Sequence, residues 1–320
     1  MKSKIWLLAF LTLIGSCSIN SYGSFLPSKA ENLAIEAHFC PTENCHGIIA
    51  NEILKSEKSV HCALYSVNLD DVVNALSEKS RTEDVQLVTD NDNPTNLPFA
   101  ITDNRKALMH NKFCVIDGNK VITGSYNPTV GGLEDDNNVI IVKSKTLADN
   151  YEAEFQEFQA GIFGKGNRVK NPVIYYANGT KKLENYFCPE DWCSDKVLKT
   201  LVKANSSIKF MIFSFTDDSI GDLLVRKYSE GVDVRGVVEK SQNTNNFSEY
   251  FKLKDAGIDA RYDKNPKLLH HKVFIIDDSI VITGSYNPTA NGDKSNDENI
   301  LIIYDKDIVK LFIEEFNRVY

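Results

Sequence analysis

The chain has 320 residues, of which 42% are hydrophobic and 25% are charged. This composition is enough for two globular cores and excludes a disordered chain or a bundle of membrane-spanning helices. The formal net charge is −8, which argues against a surface that mainly neutralises nucleic-acid phosphates but does not exclude a local basic groove.

The first predicted element is an export signal, residues 1–23. A short basic region precedes an apolar run from Ile5 to Ile14, which is too short to span a bilayer comfortably. Small residues stand directly before Cys17, so two interpretations remain open. Cys17 is either the lipidated first residue of a lipoprotein, which would anchor the chain to a membrane, or part of an ordinary signal that is removed. Both predict an exported protein, periplasmic or secreted.

The rest of the chain follows one plan twice, in residues 24–165 and 166–320. Each copy has a helical stretch, an apolar strand, an amphipathic helix and further strands, and each ends in a helix (147–159 and 308–319). Alternating strands and helices predict the α/β class, here two tandem α/β sandwich halves with mixed sheets. A Gly-rich stretch near residues 164–166 is the predicted boundary.

The two copies differ in the length of the stretch that precedes His110 in the first and His270 in the second. His270 follows Glu239 by 31 positions in the second copy, whereas His110 follows Asp90 by 20 in the first. The extra length predicts a helix near residues 247–254 and two unlike rims around any shared cleft. Aromatic residues in these loops would favour a lipid substrate if they are exposed. They are Phe99, Phe247, Tyr250 and Phe251.

Four of the seven cysteines repeat in a Phe-Cys-Pro pattern near the start of each copy. In an exported chain this pattern favours two local disulfides, with a four-thiol zinc site as the alternative. Cys62 and Cys114 lie in apolar, strand-like runs and are expected to be small buried apolar residues. The predicted disulfides are Cys40–Cys45 and Cys188–Cys193.

One twenty-residue motif occurs in both copies. Residues 110–129 read HNKFCVIDGNKVITGSYNPT, and residues 270–289 read HHKVFIIDDSIVITGSYNPT. The offset from His to Asn is the same in both, since 127 − 110 = 287 − 270 = 17. Packing alone does not require these polar residues at fixed offsets, so the motif predicts one site built from both copies. Its polar residues are His110, Lys112, Asp117, Ser125 and Asn127 in the first copy and His270, Lys272, Asp277, Ser285 and Asn287 in the second.

The motif residues suit chemistry at phosphorus. Residues i and i+2 of a strand share a face, so His and Lys of each copy point the same way, whereas His271 points to the other face. One His could attack phosphorus while the other protonates the leaving oxygen. The two Lys and two Asn would hold the non-bridging oxygens in place of a metal ion, so we expect no metal or other cofactor. For Asp117 and Asp277, turn capping and catalysis both remain open.

This pattern resembles the phospholipase D superfamily, whose signature is HxKxxxxD followed by GSxN or GSxxN. Both copies match every signature position. The resemblance implies two halves related by a pseudo-two-fold axis, one active site between them and a metal-independent phosphohistidine mechanism. It also implies His110 as nucleophile and His270 as general acid. Because both halves of the site lie in one chain, we expect a monomer.

Superfamily members also carry a downstream acidic residue that orients a His, and Glu298 matches that position. The first copy has Asn137 there, which departs from the pattern. We therefore expect either that Asp136 or Asp135 substitutes for it, or that one His is held less tightly. This departure is the main argument for an asymmetric or impaired site.

Three functions fit these patterns. The compact halves resemble small bacterial endonucleases, which work as dimers of one-motif chains, so the first prediction is a phosphodiesterase that acts on nucleic acid. The alternative is a phospholipase D that hydrolyses phospholipid head groups, which suits an acidic and membrane-anchored protein. The third is a binding protein that keeps the cleft without turnover.

Overall fold

A computed structural model describes residues 30–177, 179 and 182–320. The predicted export signal, including Cys17, lies outside the described residues. The first half contains β1 (Ala34–Cys40), α1 (Cys45–Leu54), β2 (Ser59–Leu64), α2 (Asp70–Lys79), β3 (Asp84–Asp90), β4 (Ala100–Asp103), β5 (Lys112–Ile116), β6 (Lys120–Gly124), β7 (Asn137–Lys143) and α3 (Lys145–Gln159). The second half contains β8 (Val173–Tyr175), β9 (Lys182–Cys188), α4 (Cys193–Leu201), β10 (Ser207–Ile212), α5 (Asp218–Ser229), β11 (Asp233–Val238), α6 (Glu249–Asp255), β12 (Asp259–Tyr262), β13 (Lys272–Ile276), β14 (Ile280–Gly284), α7 (Ala290–Lys294), β15 (Glu298–Ile303) and α8 (Lys306–Val319).

Each half contributes one mixed sheet. The strand order is β1-β7-β6-β5-β2-β3-β4 in the first sheet and β12-β11-β10-β13-β14-β15-β9-β8 in the second. Read in opposite directions, the two orders match strand for strand, with β8 as an addition. β2, β3 and β4 are parallel, as are β10, β11 and β12, and the other pairs are antiparallel. The predicted α/β class with two similar halves is confirmed, and the helix predicted near residues 247–254 is α6. The boundary at residue 165 stays a prediction.

The motif strands β5 and β13 are buried on both faces. Alternate residues of β5 enter different cores: Phe113 and Val115 join a central core shared by the two halves, whereas Cys114 and Ile116 face α1 and α2. The central core also contains apolar side chains of α3 and α8. Helices on both sides of a sheet explain why these strands are almost wholly apolar and why a polar residue in them needs a specific partner.

The described residues contain three disulfides. Cys40–Cys45 and Cys188–Cys193 are bonded as predicted, so their thiols are taken up and the zinc alternative is wrong. The expectation for Cys62 and Cys114 was incomplete, because these buried residues form a third disulfide. They face each other directly in the antiparallel β2–β5 pair, a register that composition does not reveal.

Three disulfides in one chain suggest an extracellular or periplasmic location. Within the ranges that the structure describes, no helix is both long and apolar enough to cross a membrane.

The motif aspartates close the hairpins β5–β6 and β13–β14. Both have a positive φ, 52° at Asp117 and 51° at Asp277. The carboxylate of Asp117 accepts hydrogen bonds from the backbone N–H groups of residues 57–59, and that of Asp277 accepts from those of residues 205–207. These bonds tie each hairpin to the start of β2 or β10, which gives both residues a structural role.

Asp117→Asn and Asp277→Asn should each lower the free energy of unfolding by about 1–2 kcal/mol, because bonds from N–H groups to a charged acceptor are lost. Asn tolerates the left-handed backbone, so strain should not contribute. Urea unfolding measures the effect, with the exposed Asp278→Asn as the control. Loss of activity in an equally stable Asp117→Asn protein would instead support a catalytic role.

Candidate active site

The two motifs meet where the sheets join. The backbone N–H of His110 donates to the carbonyl of Asp297 (2.9 Å), and the N–H of His270 donates to the carbonyl of Asp136 (2.8 Å). Residues just before β5 therefore pair with residues just before β15, and those before β13 pair with those before β7. This exchange places each motif His beside a strand of the opposite half.

His110 is held by a carboxylate from the second half. Its Nδ1 lies 2.8 Å from Glu298 Oε2, and Glu298 is fully buried. The backbone of Ser285 also hydrogen-bonds the His110 ring. With the Glu298 carboxylate as acceptor, Nδ1 carries the proton and Nε2 is left with a lone pair.

The ring of His270 has equivalent hydrogen-bond partners, except that an amide replaces the carboxylate. Its Nδ1 lies 3.1 Å from the carbonyl of Ser125 and 2.9 Å from Asn137 Oδ1. The expectation that Asp136 or Asp135 substitutes for a glutamate here is wrong. The carboxylate of Asp136 pairs with Arg318, and that of Asp135 accepts from the backbone of residue 268.

The two motif lysines are buried close to both imidazoles. Lys112 and Lys272 are each 3% exposed, and each Nζ donates to the carbonyl of the His two residues before it, at 2.6 and 2.7 Å. Burial lowers the pKa of Lys112 to about 7, and burial together with the charge of Lys112 lowers the pKa of Lys272 well below its ordinary value. A bound anion would relieve both penalties.

Burial and the neighbouring charges also shift the pKa values of His110, His270 and Glu298. Burial and the two lysines lower the pKa of both His110 and His270 well below the ordinary histidine value. Burial raises the pKa of Glu298 to about 8, and Lys112 opposes that rise. Glu298 is thus the carboxylate that the site holds against His110, whereas no carboxylate among the described residues hydrogen-bonds the His270 ring.

The Gly-Ser turns bring the last motif residues into the site. Gly124 and Gly284 have φ of 139° and 143°, and a Cβ on either would lie 2.3 Å from a carbonyl oxygen of the neighbouring strand. The hydroxyls of Ser125 and Ser285 accept the backbone N–H of residues 138 and 299. These contacts fix the turn from which each motif Asn projects.

Asn127 and Asn287 follow these turns directly. The side-chain oxygen of each is buried and has no hydrogen-bond partner within the described part of the chain. An amide oxygen can only accept, so this atom suits a donor on a bound molecule, whereas the contact with phosphoryl oxygens that the motif predicts would use the amide N–H groups.

His271 lies on the opposite face of its strand, as predicted. It is fully buried, its Nε2 lies 2.9 Å from Glu315 Oε1, and its Nδ1 lies 3.1 Å from Asn138 Nδ2. The equivalent residue of the first half is Asn111, which accepts from Asn299. Both positions belong to a polar contact between the halves, not to the site.

Two aromatic side chains were not predicted. Tyr65 and Phe213 directly follow β2 and β10, and their rings pack edge-on against His110 and His270 at 5.0 and 4.7 Å. Each also lies against the lysine of its own half. The only signal in the sequence was their equivalent place after the strand that neighbours each motif.

Among the described residues, three acidic side chains outside the motifs come within 4.8 Å of one another: Glu154, Glu157 and Glu190. They lie on α3 and beside the Cys188–Cys193 disulfide. No motif residue belongs to this group.

Comparison with known proteins decides the family. The model described as "Cardiolipin synthase, PLD-like domain" matches residues 49–159 and 197–320, which is most of the chain. The chain belongs to this PLD-like family. The phospholipase D superfamily predicted from the motifs is therefore confirmed, and the relatives found by sequence are named cardiolipin hydrolase and phospholipase D, both hydrolases of phosphodiesters.

Individual PLD-like relatives each align with less than half of this chain. Human mitochondrial cardiolipin hydrolase is 36% identical over 125 residues, covering 39% of this chain and 50% of the relative. Phospholipase D of Rickettsia conorii is 35% identical over 135 residues, covering 42% of this chain and 68% of the relative. The chain thus spans about half the length of the cardiolipin hydrolases it matches.

Two solved structures extend the comparison. Phosphatidylserine synthase of Haemophilus influenzae matches 91% of this chain and 87% of its own with a TM-score of 0.68 at 12% identity, which shows the fold alone. Nuc of Salmonella typhimurium, a phospholipase D family member, is 31% identical over 43% of this chain and 93% of its own, with a TM-score of 0.42.

His271→Asn should leave most activity intact, because Asn is the residue that the first half uses at this position, but it should lower the melting temperature by removing the partner of Glu315. Thermal unfolding and a phosphodiesterase assay measure the two effects, with Asn111→His as the reciprocal variant. Activity as low as in His270→Asn would contradict the placement of His271 outside the site.

Proposed function

We propose that this PLD-like protein hydrolyses phosphodiesters in two steps through a phosphohistidine. The supporting observation is that two His-x-Lys strands from different halves share one buried site, with each imidazole Nδ1 held by the opposite half. Neither Nε2 has a hydrogen-bond partner among the described residues, which suits chemistry at this atom better than the third interpretation, a binding protein without turnover.

In the first step, Nε2 of His110 attacks phosphorus and a P–N bond forms. The bond from phosphorus to the leaving oxygen breaks, and His270, protonated at Nε2, gives its proton to that oxygen. In the second step, neutral His270 takes a proton from water, the water oxygen bonds phosphorus, and the P–N bond breaks to restore His110. Lys112 and Lys272 balance the charge of the phosphoryl oxygens in both steps.

Glu298 supports His110 as the nucleophile. When Nε2 bonds phosphorus, the ring acquires positive charge, which lowers the pKa of Glu298 from about 8, and the ionised carboxylate against Nδ1 then offsets the ring charge. Asn127 and Asn287 are proposed to donate to the phosphoryl oxygens. Under this mechanism the reaction proceeds without a divalent cation, so activity in excess EDTA should equal that in buffer alone.

His110→Asn should abolish turnover of bis(4-nitrophenyl) phosphate. His270→Asn should instead release about one nitrophenolate per protein and then stop, because this leaving group needs no proton but the second step needs a base. Stopped-flow absorbance measures the burst, and acid-labile labelling of His110 identifies the intermediate. A burst in His110→Asn would reverse the roles of the two histidines.

We propose phospholipid head groups as the substrate, ahead of the nucleic acid predicted from the compact halves. The favouring observation is the exposure of two phenylalanine side chains. Phe247 is 81% exposed, and Phe251, four residues on in α6, is 42% exposed. Tyr250 and Phe99 are half-buried. The ring of Phe251 contacts that of Tyr250 at 5.4 Å, so these aromatics are grouped, and grouped exposed apolar side chains mark interaction surfaces, here proposed to be for lipid.

Phe247 lies on a loop fixed beside the catalytic centre. Asn243, which is fully buried, donates to the carbonyl of Phe213 (2.7 Å) and accepts from the hydroxyl of Ser248 (2.9 Å). Phe213 packs on His270. The loop between β11 and α6 therefore holds Phe247 at the rim of the half that contains His270.

Phe247→Ser should lower hydrolysis of phosphatidylglycerol vesicles about tenfold, because burial of a Phe side chain contributes about 1.5–3 kcal/mol. Hydrolysis of soluble bis(4-nitrophenyl) phosphate should not change. Leu54→Ser, at the exposed end of α1 in the other half, is the matched control. Cleavage of single-stranded DNA that depends on Phe247, with intact vesicles, would restore nucleic acid as the substrate.

We propose that the protein acts after export, since the predicted signal at residues 1–23 agrees with the disulfides. Attachment through lipidated Cys17 would bring the rim close to a membrane. A monomer is the proposed state, because one chain supplies both motifs.

A further inference from the structure

We infer that Asn137 is a positioning residue that holds His270 without giving it a counter-charge, and so reserves His270 for acid and base chemistry while His110 alone forms the covalent bond. The inference rests on the proposed two-step mechanism. It concerns the side chain that hydrogen-bonds Nδ1, which differs between the two imidazoles.

The two halves provide an internal comparison. Each His ring has a backbone hydrogen bond with a serine of the opposite motif, and a lysine follows each His two residues on. The further partner of Nδ1 is the first residue of the opposite half's last strand, β7 or β15. That residue is Glu298 for His110 and Asn137 for His270.

Asn137 is itself firmly held. It is 1% exposed, and its Oδ1 accepts from the hydroxyl of Ser125 (2.9 Å) as well as from His270 Nδ1 (2.9 Å). Because the hydroxyl and the imidazole N–H both need an acceptor, the amide oxygen must face them. Asn137 therefore fixes the ring and its tautomer as well as a carboxylate would, without a negative charge.

The charges that face His270 from its neighbours are mostly positive. Lys272 comes from its own strand, and Lys112 and His110 come from the first motif. Glu298, which acts on the charge of Lys272, bonds the His110 ring, and the neighbouring carboxylates are also bound elsewhere. Asp135 and Glu239 accept the backbone N–H of residues 268 and 269, and Asp136 pairs with Arg318.

Burial and the two lysines lower the pKa of both rings, and the inference predicts that an ionised Glu298 makes the proton affinity of His110 the higher of the two. Without a carboxylate at Nδ1, the imidazolium form of His270 is poorly stabilised, and burial with the two lysines lowers its pKa further. Such a group gives up its proton readily to a leaving oxygen. It would, however, be a poor carrier of the positive charge that a covalent phosphoryl group creates.

The test compares Asn137→Asp with Asn137→Ala in the full-length protein. Titration of ring signals by NMR measures the His270 pKa directly and needs no turnover. The alkaline limb of kcat/KM for a soluble short-chain phosphatidylglycerol, whose leaving alcohol needs a proton, gives the functional measure. Asn51→Asp, exposed on α1, adds the same charge away from the site.

Asn137→Asp should raise the His270 pKa by about one unit or more, because a carboxylate stabilises the imidazolium. His270 then stays protonated to higher pH, so the alkaline limb should move upward by the same shift. Asn137→Ala should lower kcat without an upward shift, and Asn51→Asp should change neither quantity.

A His270 that titrates alike in wild type and Asn137→Asp, or an Asn137→Ala protein with wild-type kcat, would overturn the inference. If the wild-type protein cleaves no phosphodiester, the proposed function fails instead, and the NMR titration still decides whether Asn137 controls the proton affinity of His270. Thermal unfolding of each variant separates these outcomes from misfolding.

Discussion

Two ammonium groups buried in one site are the constraint on which this structure depends. Lys112 and Lys272 are held by strands that are covered on both faces, so neither can withdraw into water. Their repulsion and the loss of hydration cost free energy that packing elsewhere must offset. A bound phosphate would supply the negative charge that offsets this cost, so the same arrangement favours an anion.

The seam, meaning the polar contact surface between the two halves, is as specific as the packing within either hydrophobic core. Each imidazole is oriented by the opposite half, and the hydroxyls of Thr123 and Thr283 donate across the seam to Asn299 and Asn138. The buried polar groups at the seam find their partners only when both sheets are in register. Assembly of the site is thus inseparable from docking of the two halves.

Much of this organisation could be predicted from the sequence, because the two motif copies constrain each other. The alternation of strand residues was enough to place His110 and Lys112 on one face and to set His271 apart. The Cys62–Cys114 bond could not be predicted, since it depends on the register of two strands 52 positions apart. The strands β4 and β12 were missed because four-residue edge strands carry too short a pattern. The contact of Asn137 with His270 was also missed, because a repeat shows which positions correspond but not which copy serves the other.

The exchange of orienting residues between halves has a consequence for how such a site can diversify. In a symmetric dimer of identical one-motif subunits, replacing the orienting carboxylate would alter both imidazoles at once. Once two motifs are joined in a single polypeptide, each position can change separately, and Glu298 can persist while its counterpart is an amide. Covalent linkage of the halves thus permits a division of labour that symmetry forbids.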